Sequence, residues 1–333
     1  MQNHSSRKLV LLITLIMTTF SANAESIGYL FAHGLGGNAP TRHAYIQTKV
    51  LLPDCPCYSY NAPEVVSIRA VRPDNGEMYT AYAFDKDKVS LGQDDDIAAL
   101  SKALADIESR TSIIGFGVSK GAATWINTAA KDQPSNLKAL VLESPFADAN
   151  ELIYEIGISK SYLLGYVPFG RNVAKLLSNT MLYKKYNPDG PQPIVSIRDI
   201  PNIPILFIHS KQDGLIHINH SRKLYRKLIK EGRTNVYLVE TKYGRHANLL
   251  GNVFPVDDEL LESYLKPLHA FYKHFELPYD QELASNVDLS KYQPSLEEIT
   301  EKINADEQSE TFYHAVKLGY AITAATALYE MLS

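Results

Sequence analysis

The chain is poor in cysteine, carries no excess of positive charge and has only a short apolar run near its start, and each shortage excludes a class of protein. Its two cysteines, Cys55 and Cys57, lie two residues apart in one extended segment, so they cannot build a disulfide framework. With no nearby histidine they cannot complete a zinc site either. The 33 Lys and Arg against 37 Asp and Glu give a net charge of −4, which provides no basic field for nucleic acid.

The remaining composition is that of a folded globular protein. Apolar residues make up 45% of the 333 residues, and the chain has 18 glycines and 17 prolines. This balance excludes disorder, collagen and coiled coil as descriptions of the whole chain.

The N-terminal segment has the three parts of an export signal. Arg7 and Lys8 supply positive charge, an apolar run of 12 residues follows at 9–20, and Ala22-Asn23-Ala24 forms a small-residue cleavage site. The alternative is an uncleaved anchor, but a membrane-spanning helix needs about 20 apolar residues. We therefore expect residues 1–24 to be a signal peptide, and the mature protein to be periplasmic or secreted.

Short β-favouring runs then alternate with longer stretches of helical periodicity, which is typical of a parallel sheet covered by helices. The pattern predicts an α/β fold with a doubly wound, mostly parallel sheet over residues 25–275. Six strands are expected, at Ile27–Ala32, Cys57–Asn61, Ser112–Phe116, Ala139–Glu143, Ile205–His209 and Val236–Glu240.

Two helices between these strands carry runs of like charge. Asp94, Asp95 and Asp96 precede apolar residues at helical spacing, and we interpret them as a helix start rather than a metal site. A second helix is predicted over Ser221–Glu231, ending at Gly232. Its basic residues are interpreted as a solvated face rather than a phosphate site: Arg222, Lys223, Arg226, Lys227 and Lys230.

Two regions fall outside the repeating unit. Residues 146–200 have apolar residues at helical spacing and predict a helical cap over the carboxyl edge of the sheet. Residues 276–333 form a polar and then helical tail, in which Ser295 and Glu298 predict a capping box. A second tail helix is expected from Thr311 to Leu332, docked on the domain, with membrane contact as the alternative.

One motif points to a nucleophile. Gly117-Val118-Ser119-Lys120-Gly121 is a G-x-S-x-G sequence between a predicted strand and a run of small residues. A serine on a tight strand-to-helix turn needs glycine on both sides, because the neighbouring strand leaves no room for side chains. The motif predicts a nucleophile elbow at Ser119, flanked by Gly117 and Gly121, although five-residue matches also occur by chance.

The first strand ends in His33-Gly34-Leu35-Gly36-Gly37, a loop that can supply an oxyanion donor. The backbone N–H groups of Leu35 and Lys120 are the candidates, since both can point at the carbonyl oxygen of the group that Ser119 attacks. An ordinary strand-to-helix loop is the alternative. His33 is expected to hold this loop by a hydrogen bond and not to act as a base.

Candidates for the acid and the base follow two later strands. Asp213 comes after the fifth predicted strand and His246 after the sixth, so both lie at the carboxyl edge, where sites on open α/β sheets form. The order Ser119, Asp213, His246 is nucleophile, acid, base, which is one of the known chain orders of a Ser-His-Asp triad.

Together with Leu142-Glu143-Ser144-Pro145-Phe146 and the segment 204–216, these motifs make the chain resemble an α/β-hydrolase-fold serine hydrolase. The similarity is greatest to the branch of monoacyl-lipid and acyl-thioester hydrolases and to prolyl-oligopeptidase-like catalytic domains. The resemblance implies Ser119 as nucleophile, His246 as base and Asp213 as orienting acid.

The expected activity is hydrolysis of a small-molecule carboxylic ester or thioester with an apolar acyl group, through an acyl-enzyme. The alternatives are a serine peptidase or acylaminoacyl hydrolase, and a catalytically silent scaffold that binds a partner through its tail. This chemistry needs no cofactor and no metal. His217 and His220 lie three residues apart, but no carboxylate or third histidine stands at ligand spacing in the sequence.

Overall fold

A computed structural model describes residues 26–37, 55–72, 76–107, 110–160, 183–242, 244–246, 259 and 261–309. The predicted signal peptide and the predicted helix from Thr311 to Leu332 lie outside these residues. So does the centre of the predicted cap, at 161–182.

The core of the fold is a parallel six-stranded sheet, as the sequence predicts. Its strands, numbered along the chain with two others that form a hairpin, are β1 (Ser26–Ala32), β2 (Cys57–Ser59), β5 (Thr111–Val118), β6 (Leu137–Glu143), β7 (Ile205–Ser210) and β8 (Val236–Thr241). Their order is β2-β1-β5-β6-β7-β8, and all five pairings are parallel. This arrangement confirms the α/β fold class, and the bounds differ from the predicted strands by at most two residues at either end.

The helices that follow these strands cover the sheet on both faces, which is the layered arrangement of an α/β domain. They are α1 (Asp94–Ala105), α2 (Lys120–Asp132), α3 (Ala149–Lys160), α4 (Asn219–Lys230), α5 (Lys266–His274, preceded by the π-turn Leu261–Leu265) and α6 (296–309). Short helical turns lie at Lys86–Lys88, Pro193–Ser196, Ile197–Asp199 and Leu289–Tyr292.

Alternate strand residues pack into two separate cores, because side chains of a strand point to opposite faces. On one face Leu30 and Ile113 pack with α1, α2 and α4. On the other face Phe31 and Ile114 pack against α5. The strands are therefore buried on both sides, which explains why their sequences are continuously apolar rather than alternating.

An antiparallel hairpin, β3 (Val65–Val71) paired with β4 (Met78–Phe84), forms a second, two-stranded sheet that the sequence analysis did not predict. The face that carries Ser67, Thr80 and Tyr82 is mostly exposed, whereas the opposite face is mostly half-buried. Glu64, at the base of the hairpin, contacts Lys120 at the start of α2.

The described parts of the cap and tail contain helices joined by turns and loops. In the cap, Leu152 of α3 is buried, and Ile153 and Ile156 pack on the same apolar cluster. In the tail, Ser295 and Glu298 form the predicted reciprocal capping box, with N···O distances of 2.7 and 3.2 Å. Helix α6 docks on the sheet's helical layer through Ile299 and Ile303, which are fully buried. Within the described residues, none of the helices combines the length and apolarity required to cross a bilayer.

Candidate active site

Strand β5 delivers Ser119 to the carboxyl edge of the sheet, at a sharp turn into α2. Ser119 has φ 56° and ψ −118°, a strained conformation for a residue other than glycine. Its N–H donates to the carbonyl of Glu143 on β6 at 2.8 Å, which keeps the turn in the plane of the sheet. The predicted strand–turn–helix context of Ser119 is therefore present.

The two glycines of the motif are required by close backbone approaches. A Cβ on Gly121 would lie 2.0 Å from the carbonyl oxygen of Ala32 on β1. A Cβ on Gly117 would lie 2.6 Å from the Cα of Ala122. Both contacts are to backbone, so no side chain can move aside to make room.

The structure brings Ser119, His246 and Asp213 into one chain of hydrogen bonds. Oγ of Ser119 lies 2.9 Å from Nε2 of His246, and Nδ1 of His246 lies 2.8 Å from Oδ2 of Asp213. With Nδ1–H donating to the carboxylate, Nε2 is left to accept the hydroxyl proton of Ser119. Ser119 and Asp213 are buried, whereas the His246 side chain is 14% exposed.

The carboxylate of Asp213 is held by four donors. Its Oδ1 accepts the backbone N–H groups of Leu215 and Ile216, each at 2.9 Å. Its Oδ2 accepts from His246 and also lies 3.2 Å from Nε2 of His209, a fully buried residue of β7. Burial alone would raise the pKa of Asp213, but the hydrogen bonds from His209 and His246 outweigh it and hold that pKa well below its usual range. Asp213 therefore stays ionised.

His209 was not singled out from the sequence, although it sits at the end of a predicted strand. Its Nδ1 lies 2.7 Å from Oγ of Ser221 and its Nε2 lies 2.9 Å from the carbonyl oxygen of Ile216. Burial lowers the pKa of His209, so the ring is neutral and its Nε2–H points at the Asp213 loop. His209 thus fixes the loop that carries the acid.

The loop after β1 passes directly beside the nucleophile. A Cβ on Gly34 would lie 3.3 Å from the Cβ of Ser119, so the next residue, Leu35, is at the same edge. The turn is closed by the N–H of Gly37, which donates to the carbonyl of Gly34 at 3.0 Å. Lys120 is the first residue of α2, where a backbone N–H has no partner within the helix. Both candidate oxyanion donors are therefore close to Ser119.

His33 holds this loop, as predicted. Its Nδ1 lies 2.9 Å from the carbonyl oxygen of Gly34, and its Nε2 accepts the N–H of Ala62 at 3.1 Å. Both ring nitrogens are occupied and the residue is buried. It is not placed to act as a base.

The side chain of Lys120 makes contacts that the sequence did not indicate. Its ammonium is fully buried, 2.5 Å from Oδ1 of Asp96 and 2.9 Å from Oε1 of Glu64. Burial alone would lower the pKa of Lys120, but these carboxylates hold it above its ordinary value. Burial raises the pKa of Glu64, which the charge of Lys120 only partly offsets. Asp96, predicted as part of a helix start, is therefore also an ion-pair partner.

The fold brings two carboxylates to His220, contrary to the expectation from sequence spacing. Ligand atoms of Glu151 and Glu155 on α3 and of His220 on α4 lie within 4.8 Å of one another. However, Nδ1 of His220 accepts the N–H of Ala147, so Nε2 carries the proton and donates to Glu155 at 3.0 Å. Glu151 is paired with Lys223 at 2.8 Å. These donors do not suit a metal ion, and they tie the cap helix to α4.

The prediction that the basic residues of α4 form a solvated face is wrong for Arg222. This residue is buried, and its guanidinium contacts Glu240 on β8 at 2.8 Å and Asp306 on α6 at 2.6 Å. Helix α6 covers this position, which the helical periodicity of α4 alone cannot reveal. Lys223 is half-buried by its pairing with Glu151, whereas Lys230 is exposed as predicted.

Comparisons with known proteins agree with this architecture. The prolyl oligopeptidase family matches residues 87–253, half of the chain. None of the curated proteins matches the chain.

Three solved structures illustrate the similarity. An esterase from Pyrococcus furiosus is 17% identical, with 76% of this chain and 82% of that chain covered and a TM-score of 0.46. The acylaminoacyl peptidase of Pyrococcus horikoshii is 18% identical, with 81% and 40% covered and a TM-score of 0.47. The acyl-protein thioesterase 2 of Zea mays is 17% identical, with 74% and 94% covered and a TM-score of 0.41.

Proposed function

The chain belongs to the prolyl oligopeptidase family and is a serine hydrolase of the α/β-hydrolase fold, and we propose that Ser119, His246 and Asp213 are its catalytic triad. The observation that carries this proposal is the pair of hydrogen bonds, 2.9 and 2.8 Å long, that link the three side chains. In this proposal Asp213 orients the ring of His246 and stabilises its charged form during the reaction.

The reaction follows from these positions. Nε2 of His246 takes the proton of Ser119 as Oγ attacks an acyl carbonyl carbon, and the resulting oxyanion accepts the N–H groups of Leu35 and Lys120. His246 then gives its proton to the leaving group, and an acyl-enzyme on Ser119 remains. Water, deprotonated by the same ring, releases the acid and restores the serine hydroxyl.

We propose an ester or thioester with an apolar acyl group as the substrate. Leu35 and Leu215, which flank the triad on two loops, are 41% and 46% exposed. Behind them, Phe146 and Ile216 belong to a buried apolar cluster beneath cap helix α3. Large apolar side chains left exposed beside a buried nucleophile favour an apolar acyl chain over a charged one.

Purified protein assayed with p-nitrophenyl esters of increasing acyl length tests this proposal. We expect turnover that rises with chain length, and loss of about 10⁴-fold or more in kcat for Ser119→Ala. The second candidate, supported by the family match, is a peptidase or acylaminoacyl hydrolase. Faster cleavage of a chromogenic dipeptide amide than of any ester would favour it. A folded parent that turns over neither class would favour a catalytically silent scaffold.

We also propose that the protein acts outside the cytoplasm after cleavage behind Ala24. The basis is the order of charge, apolar run and Ala22-Asn23-Ala24 site. The mass of the protein recovered from a bacterial periplasm or culture medium tests this, with a mature chain beginning at Glu25 as the expected result. A full-length chain retained in the cytoplasm would contradict it.

A further inference from the structure

We propose that the side chain of Lys120 is a positioning residue: its buried ammonium, bound between Asp96 and Glu64, fixes the start of the nucleophile helix and so aims the Lys120 N–H and the Ser119 hydroxyl. The inference rests on the proposed function, because it concerns the same nucleophile and the same oxyanion. It assigns a role to a charge that the triad mechanism does not use.

Lys120 takes part in the site through its backbone and in a buried ion-pair cluster through its side chain. The backbone N–H of Lys120, the residue after Ser119 and the first of α2, is a candidate oxyanion donor. Its side chain runs into the protein and ends 2.5 Å from Asp96 and 2.9 Å from Glu64. The buried ion pairs therefore restrain the same residue whose backbone N–H is the candidate donor.

The two carboxylates are themselves anchored on different segments. Asp96, in the first turn of α1, accepts Oγ–H of Ser90 and the N–H of Gly92, each at 2.8 Å. Gly92 in turn packs on α2, since a Cβ there would lie 3.2 Å from the backbone N of Thr124. The ion pair between Lys120 and Asp96 thus links α1 to α2 a second time.

Glu64 connects the hairpin to the same ammonium. It immediately precedes β3, and its carbonyl accepts the N–H of Asp85, just beyond the end of β4, at 2.8 Å. Its side chain is fully buried against Lys120. One ammonium therefore joins the hairpin base, the start of α1 and the start of the nucleophile helix.

Stability alone does not account for this arrangement. Replacing a buried ion pair by apolar residues of similar volume is often neutral or stabilising, because desolvation cancels much of the attraction. What this ion-pair cluster adds over an apolar contact is direction, since the hydrogen bond from Lys120 to Asp96 fixes an angle as well as a distance. Direction is needed here because Ser119 has a strained backbone that its surroundings must hold in place.

The test uses variants that separate the positioning effect of the Lys120 side chain from the net charge of the buried cluster. Lys120→Met alone leaves two buried carboxylates with no cation between them, and this variant can fail to fold. In the double variant Lys120→Met/Glu64→Gln, the net charge of the cluster is the same as in the parent, and Asp96 keeps its bonds from Ser90 and Gly92. The double variant is therefore the informative one.

Steady-state kinetics on a p-nitrophenyl ester and the rate of labelling by a fluorophosphonate are measured well below the melting temperature. We expect kcat and kcat/KM of the double variant to fall together by about 10²-fold, the effect of misplacing catalytic groups by about 1 Å. Labelling should slow by a similar factor. Glu64→Gln alone, which keeps the Lys120–Asp96 pair, should lose less than about 10-fold.

Leu228→Ala is the matched control for stability. Leu228 is fully buried near the end of α4 that lies opposite the active-site edge, so its truncation lowers the melting temperature without touching the site. We expect its kcat to match the parent's. A folded double variant with parental kcat would overturn the inference while leaving the triad intact. A parent that neither labels nor turns over ester or amide would overturn the proposed function and this inference with it.

Discussion

Replacing Gly121 by alanine probes the contact that fixes the nucleophile helix against strand β1. The added Cβ would lie 2.0 Å from the carbonyl oxygen of Ala32, whereas ordinary contact begins at 3.4 Å. Relief therefore requires a displacement of about 1.4 Å between two backbones, the difference of these distances. Because Ala32 leads directly into the loop of Leu35, both candidate oxyanion donors move when the strand and helix separate.

The expected loss is about 3 kcal/mol in the free energy of unfolding, at the upper end for overpacking, since backbone cannot rotate away. Activity should fall by about 10²-fold in kcat, from misplaced donors and nucleophile. Urea unfolding can be followed by the fluorescence of Trp125, which is the only tryptophan and is fully buried in α2.

Gly214→Ala is the matched control, because a Cβ there meets nothing within 4 Å although the residue adjoins Asp213. Its stability should stay within about 0.5 kcal/mol of the parent's. A Gly121→Ala variant with parental stability and parental kcat would refute the reasoning, since the close approach would then not constrain the site.

Three further predictions concern other parts of the molecule. Hydrogen bonds hold the pKa of Asp213 below its value in the unfolded chain, so its ionised form stabilises the fold above about pH 4, and this stability is lost as pH falls. In urea unfolding at several pH values, the free energy of unfolding of Asp213→Asn should fall less at acid pH than that of the parent. An unchanged pH dependence would contradict this. Ser295→Ala removes the hydrogen bond that its hydroxyl accepts from the Glu298 N–H, and it should lower the free energy of unfolding by about 1 kcal/mol with kcat unchanged. An unchanged free energy of unfolding in urea would mean that the capping box does not stabilise the fold. Leu215→Ser should lower kcat/KM for long-chain relative to short-chain esters by about 10-fold, and an equal loss on both would argue against acyl contact.

The parts of the fold that follow from local physics could be predicted from the sequence. The central parallel strands are largely apolar because both faces of the sheet are covered, and turn residues mark their ends. The glycines around Ser119 were informative because each marks a backbone contact that no other residue fits. The capping box at Ser295 is a purely local motif and formed as expected.

The features that were missed depend on contacts between distant segments. The burial of Arg222 depends on Glu240 and Asp306, which lie 18 and 84 residues away in sequence. Likewise, Lys120 meets Glu64 and Asp96 only after the sheet has formed. Side-chain periodicity within one helix carries no information about such partners.

The unpredicted hairpin has a different cause. Residues 66–70 alternate apolar and polar side chains, but residues 78–84 do not, because apolar and aromatic residues there fall on both faces. In the structure one face of the hairpin is mostly exposed and the other is only half-buried. Without a fully buried face, the usual signal for a strand is weak.

The most direct test of the proposed triad is site-specific labelling of the mature protein by a fluorophosphonate, with the modified peptide identified by mass spectrometry. A fluorophosphonate reacts with a serine whose hydroxyl is activated by a neighbouring base. The account predicts stoichiometric modification of Ser119 in the parent and none in Ser119→Ala or in His246→Ala. Modification at another serine, or a folded parent that stays unmodified, would contradict it.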